Sequence, residues 1–594
     1  MAKRKDVIVR IGGAAGDGIA SAGETIARVF SRKGLHVCAF NSYQSAIRGG
    51  HVWFQCRAGV EDVYSEGDHW DFLVPLNLET VDIHLSHAAK DAIIVYNKDK
   101  FGNLENAAAA GVETLPIPVD ELTKGFPRNP LYQNTVTLGA IIYLIGEDFS
   151  ILEDMLKRTF ARKGEEVVAA NVGVARAGYD FAKANSPKGN FDLTCPLAKR
   201  MLLNGNQALA LGAIAAGCKF YSAYPMTPAT GILHYMIQAR DKAGIVVKQM
   251  EDELAVINMA IGAAHAGVRA MCGTAGGGFA LMTEAVGLAA MAETPIVVAE
   301  VQRGGPSTGL PTKTEQGDLN QVFGASQGDF PRIILAPTTV QDCFYQAFRA
   351  FNLAEKYQVP VFIMSDLYLA ERLDTVEVFE WEHLKIDRGE IVTSTPGGTS
   401  YRRFADTPSG VSPRAFPGTE GTVFTAASDE HDEEGIVISD VLCGLPNSVK
   451  IRKRIMERRM RKMVGIEQEM LPPTRFGDSD APVTLMGWGS TQRLLLEAVQ
   501  LLGAQGILAN VLSFSDIYPM PTKVVIKMLE KCKVIIDVEN NFTGQFARHL
   551  RAETGFHVTN KFVKYDGEPI SALEIVESVK EVLDRGPRLK NVRS

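Results

Sequence analysis

A threonine set between two prolines, three acids at the head of an apolar helix and an arginine in a polar loop are the residues of this 594-residue sequence best suited to chemistry. The threonine is Thr227 of Tyr224-Pro225-Met226-Thr227-Pro228. Proline fixes φ and removes a backbone donor, so this turn is stiff and holds the Thr227 hydroxyl in one place. The acids are Glu251, Asp252 and Glu253 of "QMEDELAVINMAIGAAHAG". Acids in a first helical turn complement the helix dipole. A carboxylate at the head of a buried helix, facing a cleft beside a strand end, would also acquire a tuned proton affinity. The loop "VAEVQRGGPSTGLPTKTEQGDLN" supplies Arg303, Ser307, Thr308 and Thr312 on a backbone shaped by glycine and proline. Arginine suits two-pronged recognition of a carboxylate. So polar a loop directly after a buried strand reads as a binding site rather than a spacer.

A second glycine-rich stretch, "GGAAGDGIASAG" from Gly12 to Gly23, follows a strand and opens a helix. Its backbone N–H groups could cradle a phosphate, but it departs from GxGxxG and no ribose-binding acid stands at the expected distance. A phosphate cradle and a close-packed strand-to-helix turn both remain open. Gly16-Asp17-Gly18 followed by Asn41 imitates a magnesium–diphosphate motif, but the gap is short and the second asparagine is missing, so that reading is rejected. The eight cysteines form no CxxC pair and the 11 histidines no HExxH. The sequence therefore gives no sign of a metal, iron–sulfur cluster or disulfide framework of its own.

These residues need rigid elements to hold them, and the apolar pattern supplies them. From about residue 202 to 374 short apolar runs ("FYSAY", "IVVKQM", "RAMCGT", "PIVVAEV", "RIILAP", "VPVFIMSD") alternate with helical segments. Continuous rather than alternating apolar strands imply a parallel sheet covered by helices on both faces. Residues 1–188 and 476–594 repeat the strand–helix rhythm, giving an α/β fold of several doubly wound parallel sheets. The expected domains are 1–188, 189–374, an irregular connection at 375–475 and 476–594. The connection holds an acidic run, "SDEHDEEG", expected as a solvated loop, and a basic helix, "KIRKRIMERRMRKM", expected as a solvent-exposed connector. A net charge of −7 gives no footprint for nucleic acid or an anionic membrane. No apolar run is long enough for a signal or membrane-spanning segment, so the cytoplasm is the expected compartment.

Taken together, the Tyr224–Pro228 turn, "QMEDE", "GTAGGGFALMTEA" and "QRGGPSTGLPT" resemble the α subunit of 2-oxoacid:ferredoxin oxidoreductases, most of all the 2-oxoglutarate type. "GGAAGDG" and "SAIRGGHV" resemble the γ module that such subunits carry fused at the N-terminus. "GWGST" and "VENNFTGQFARHLR" resemble a transketolase C-terminal-like domain, and 189–374 a thiamin-pyrimidine-binding domain. The resemblance implies decarboxylation of a 2-oxoacid on thiamin diphosphate, acyl transfer to coenzyme A and electron delivery to ferredoxin. It implies a β subunit that carries magnesium, the diphosphate site and a [4Fe–4S] cluster, in an (αβ)2 assembly. By motif position Glu253 would face the cofactor's pyrimidine, with Tyr224 and Pro225 beside the cofactor. Thr227, Arg303 and Thr312 would hold the substrate. Arg48 and His51 of "SAIRGGHV" are candidates for a second substrate carboxylate, with a surface turn as the alternative for that stretch. A pyruvate or branched-chain 2-oxoacid enzyme, an NAD-dependent dehydrogenase and a non-catalytic nucleotide-binding or scaffold subunit are the rival readings.

Overall fold

The computed structural model describes residues 3–45, 49–198, 200–395, 401–439 and 444–586. Two compact units emerge: residues 1–203 with 372–378, and residues 204–371 with 379–594.

The first unit is built on an eight-stranded sheet. Its order is Glu113–Ile117, Ala88–Asn97, Trp70–Pro75, Asp6–Ala15, Gly49–Gly59, His36–Ser42, Leu373–Glu377 and Arg200–Asn204. The half from Glu113–Ile117 to Asp6–Ala15 is parallel. Gly49–Gly59, which the apolar pattern does not single out, runs antiparallel to both neighbours and makes the sheet mixed. Polar and small residues interrupt that strand's apolar run, and cross-strand pairing rather than local pattern decides it. Helices Ile19–Lys33 and Tyr132–Leu144 contribute to the unit's main core around Phe30, Phe54, Phe72 and Ile141.

In the second unit a seven-stranded sheet runs Asp516–Tyr518, Ile333–Leu335, Pro360–Asp366, Ile296–Gln302, Arg269–Thr274, Cys218–Ala223, Val246–Gln249. All its pairs are parallel except the edge pair that Asp516–Tyr518 makes with Ile333–Leu335. A five-stranded sheet follows, in the order Thr474–Phe476, Ala509–Phe514, Val483–Trp488, Val534–Glu539, Asn560–Val563. One apolar core joins the two sheets, with Phe279, Met282 and Phe362 in the same cluster as Trp488, Phe514 and Phe546. The α/β class with parallel-rich, helix-covered sheets is the expected one.

The basic segment forms the helix Leu445–Glu469, but it is not the solvent-exposed connector expected. Arg458, Arg459 and Lys462 are buried. Arg458 and Lys462 both pair with the buried Glu293, Lys462 at 2.5 Å. The acidic run is likewise not a free solvated loop: Glu430 pairs with Arg452 and with Arg459 at 2.7 Å, and Glu433 with Arg454 at 3.1 Å. The two charge runs, read separately in sequence, are in part each other's counter-ions, and Glu293 serves the rest of the buried cations named here. A buried charge without such partners would cost several kcal/mol.

Candidate functional site

In the seven-stranded sheet the chain leaves Cys218–Ala223 toward one edge and Arg269–Thr274 toward the other. The crevice at such a reversal, beyond the carboxyl ends of the strands, is where open α/β sheets bind ligands. The Tyr224–Pro228 turn follows the first strand and the Gly276–Gly278 run follows the second. A cleft of about 610 Å³ lies there, lined among others by Met226, Gly276, Gly277, Arg303, Ser307 and Asp318.

The helix Asp252–His265 is buried on one face only, with Leu254 48% exposed, rather than throughout as expected; Glu253, in its first turn, is on the buried face and 3% exposed. Capping is done by its neighbour: Asp252, at φ 62°, accepts from Ala255 N at 3.1 Å through its side chain. Glu253 is thereby left for another task. Its Oε1 is buried and meets no hydrogen-bond partner among the described residues. Burial, with a smaller push from Asp252, holds the carboxyl above its usual range. A Cβ at Gly278 would stand 2.4 Å from Glu253 Oε1 and 2.2 Å from Thr274 Oγ1, so glycine is what lets the helix approach this carboxyl. An unsatisfied buried oxygen is costly unless a ligand group meets it. This donor set therefore fits a cofactor ring nitrogen.

Arg303 and Thr227 are also brought together. Arg303 Nη1 donates to the Thr227 carbonyl at 2.8 Å. Asn206, 2% exposed, braces the same turn by donating from Nδ2 to Pro228 O at 3.0 Å. Thr227 is half-buried, whereas Tyr224 and Pro225 are exposed. Thr312 lies in the same loop as Arg303, half-buried, but is not among the residues lining the cleft. Arg48 falls outside the described residues. His51 belongs to the first compact unit, where its Nε2 lies 2.8 Å from His84 Nε2 and His84 Nδ1 lies 2.9 Å from Arg10 Nη1. Burial and the nearby Arg10 push the His84 imidazole far below its usual value, to about 2. In the glycine-rich turn of that unit Asp17 Oδ2 accepts from Ala14 N at 2.9 Å, and a Cβ at Gly13 would stand 2.9 Å from Asp17 and from Leu76. That turn is close-packed on its own side chain.

Three residues of the site escaped the sequence reading. Glu300 is fully buried in the strand Ile296–Gln302, and among the described residues no N–H or O–H group donates to its two oxygens. Burial, and then the neighbouring Asp318 carboxyl, hold its proton affinity well above the usual range. An acid inside the apolar run "IVVAEVQ" was the available signal. Gln316 fastens the Arg303 loop to the C-terminal sheet: Nε2 donates to Trp488 O at 3.0 Å and Oε1 accepts from Asn540 N at 3.1 Å. Asn541 Nδ2 donates to Gln316 O at 3.1 Å, and Gln545 Nε2 to Gly317 O at 2.6 Å. No sequence spacing could reveal partners 172 to 228 residues apart.

Residues 211–442 match the family described as pyruvate flavodoxin/ferredoxin oxidoreductase, thiamine diphosphate-binding, and residues 8–181 match pyruvate ferredoxin/flavodoxin oxidoreductase. The chain is 34% identical to a 2-oxoacid:ferredoxin oxidoreductase subunit alpha of a Sulfolobus species, covering 97% of each chain. It is 32% identical to the 2-oxoglutarate synthase subunit KorA of Methanothermobacter marburgensis, over 64% of this chain and 99% of that one. Its structure is similar to 2-oxoglutarate:ferredoxin oxidoreductase from Magnetococcus marinus, solved with 2-oxoglutarate, coenzyme A and succinyl-CoA bound. The TM-score is 0.90 at 34% identity, covering 98% of this chain and 100% of that one. With likeness to such a subunit along nearly its whole length, and a buried carboxyl apposed to Gly278 beside the cleft, this chain belongs to the family of 2-oxoacid:ferredoxin oxidoreductase α subunits.

Proposed function

We propose that this α subunit serves an oxidoreductase specific for 2-oxoglutarate, converting it with coenzyme A and oxidised ferredoxin to succinyl-CoA, CO2 and reduced ferredoxin. The observation that carries the chemistry is the buried, unpartnered Glu253 oxygen beside Gly278. The 2-oxoglutarate assignment is supported by likeness to the Magnetococcus and Methanothermobacter proteins.

Thiamin diphosphate, when bound, supplies a carbon nucleophile for the 2-oxo group and an electron sink for loss of CO2. Glu253 would hold a proton between its Oε1 and the pyrimidine nitrogen, a task suited to a carboxyl whose proton affinity is already raised. Arg303 would bind the substrate carboxylate at the cleft while its bond to the Thr227 carbonyl fixes the turn. The Thr227 hydroxyl would orient the substrate oxygen, with Thr312 as a further contact from the same loop and Tyr224 and Pro225 against the cofactor. Arg48 or His51 would meet the second carboxylate of a five-carbon diacid. In this reading residues 189–374 form the pyrimidine side of the site, and 476–594 the transketolase C-terminal-like part. A β partner holds magnesium, the diphosphate and a [4Fe–4S] cluster in an (αβ)2 complex.

The test is dye reduction by the complex assembled from both subunits. A site that hydrogen-bonds the distal carboxylate should favour 2-oxoglutarate over pyruvate by at least about tenfold in kcat/KM, with turnover dependent on coenzyme A. Equal or better use of pyruvate would overturn the substrate assignment.

A further inference from the structure

The proton economy of the cleft extends beyond Glu253. Glu300 is 0% exposed, at the carboxyl end of a central strand and in register with Thr274 on one side and Met364 on the other. With no donor from any other residue at either oxygen, it faces the carboxyl of Asp318. Asp318 lines the cleft and is pressed against the glycine run: a Cβ at Gly276 would stand 2.5 Å from Asp318 Oδ2 and 2.6 Å from Oδ1. Its position is fixed from behind. Asp318 N donates to Gln302 Oε1 at 3.1 Å, and Gln302 Nε2 donates to Ser365 O at 3.1 Å. Two carboxyls in such contact cannot both be ionised, so they share a proton.

The groups around the pair are few. Arg303, on the same cleft, favours charge on both acids. Glu315 also lines the cleft, is repelled by Asp318 and accepts from Gly305 N at 3.3 Å. Asp366, opposite Gln302 on the next strand, is turned to Leu369 N at 3.0 Å. Glu253 approaches Gly278 of the helix whose first residue meets Asp318. Arg303 is thus the cation acting on the pair, and it is also the group that a ligand carboxylate would occupy.

We propose that a 2-oxo carboxylate entering beside Arg303 takes a proton into the Glu300–Asp318 pair, so that binding is proton-linked and Asp318 becomes a hydrogen-bond donor to the ligand. The inference rests on the reading of this cleft as the 2-oxoacid site. The balance is simple. Before binding, one proton bridges a carboxylic acid and a carboxylate; afterwards a proton from solvent has made both neutral, and the ligand's negative charge pairs with Arg303 in place of theirs. Burial brings Asp318 up to about 6 against the opposing pulls of Glu300 and then Arg303, so losing the Arg303 pull moves it further toward neutral pH. Glu300 is a positioning residue that acts through Asp318.

The experiment is calorimetric titration of the assembled complex at pH 7 with two unreactive probes, N-oxalylglycine as the five-carbon analogue and oxamate as the three-carbon one. Each is measured in buffers of different ionisation enthalpy. A bound probe should bring with it up to about one proton, read as a buffer-dependent heat. Asp318→Asn, at the cleft surface, should bind with buffer-independent heat, whereas Glu300→Gln, which keeps a neutral partner beside Asp318, should retain proton uptake but shift the pH at which it is greatest. Buffer-independent heats in the wild type, or a dependence surviving in Asp318→Asn, would overturn the proton linkage and leave the site standing. Failure of the folded wild-type complex to bind either probe would instead overturn the reading of the cleft, and the linkage with it.

Discussion

Arg303 Nη1 and the backbone carbonyl of Thr227 are joined by a hydrogen bond of 2.8 Å, linking the loop after one strand to the proline-flanked turn after another. The arginine therefore has two duties, one toward a ligand and one toward the turn. Arg303→Lys keeps the charge but loses the planar fork that serves both. We expect KM for the 2-oxoacid to rise or kcat to fall, by about tenfold or more for the loss of a charged hydrogen bond. Steady-state kinetics of the assembled complex check this, and unchanged values would remove Arg303 from the site.

Glu253→Gln should lower turnover by about a hundredfold or more, as expected when an acid–base group is lost. Folding should not suffer. Because burial raises the Glu253 carboxyl in the folded chain, the folded state holds that proton more tightly than the unfolded state. The resulting stabilisation is complete below about pH 4 and is lost as pH rises through the raised folded value. The amide needs no proton, so at neutral pH the variant should melt at the wild-type temperature or higher, and the difference should vanish in acid. Near-normal turnover in Glu253→Gln with a crippled Asp252→Asn would move the role to the neighbouring acid.

Gly278→Ala places a methyl group where Glu253 Oε1 and Thr274 Oγ1 lie 2.4 and 2.2 Å away. One helix or the carboxyl has to shift. Overpacking of this kind costs about 1–3 kcal/mol, and the displaced carboxyl should lower turnover further than stability alone explains. Thermal melting and dye reduction measured side by side separate the two.

Gln316→Leu removes both side-chain bonds that fasten the Arg303 loop to Trp488 and Asn540. Trp488 O keeps its bond from Thr491 Oγ1 at 2.9 Å, whereas leaving Asn540 N without this acceptor should cost about 1–3 kcal/mol. The loop would remain tethered through Gln545 and Gly317, so KM should rise more than kcat falls. A drop in kcat alone would argue against a positioning role.

Glu293→Gln leaves Arg458 and Lys462 buried without the carboxylate charge that pairs with both. A loss of about 3–5 kcal/mol is expected, visible as a lower denaturation midpoint. No direct effect on substrate affinity should accompany it.

Much of this was legible in the residues. Continuous apolar runs such as "RAMCGT" and "VPVFIMSD" became the strands Arg269–Thr274 and Pro360–Asp366 almost unchanged, because a strand buried on both faces writes its own signal. The turn and loop motifs located the crevice, since glycine and proline encode local backbone directly. What stayed hidden was pairing at long range. Leu373–Glu377 joins His36–Ser42, and Asp516–Tyr518 joins Ile333–Leu335. Neither short strand has a pattern that names its neighbour. Glu300 was hidden differently: one acid in an apolar run was absorbed into the strand's overall character, though its cost of burial should have marked it.

The antiparallel pair between Ile333–Leu335 and Asp516–Tyr518 also has a meaning during synthesis. The edge of the seven-stranded sheet is finished by a segment made about 180 residues later. At about 5–20 residues per second, a ribosome leaves that edge uncovered for roughly 10–40 s. An open edge of Ile333, Ile334 and Leu335 is a template for strands of other nascent chains. The finished molecule conceals this hazard, and a growing one has to outlast it.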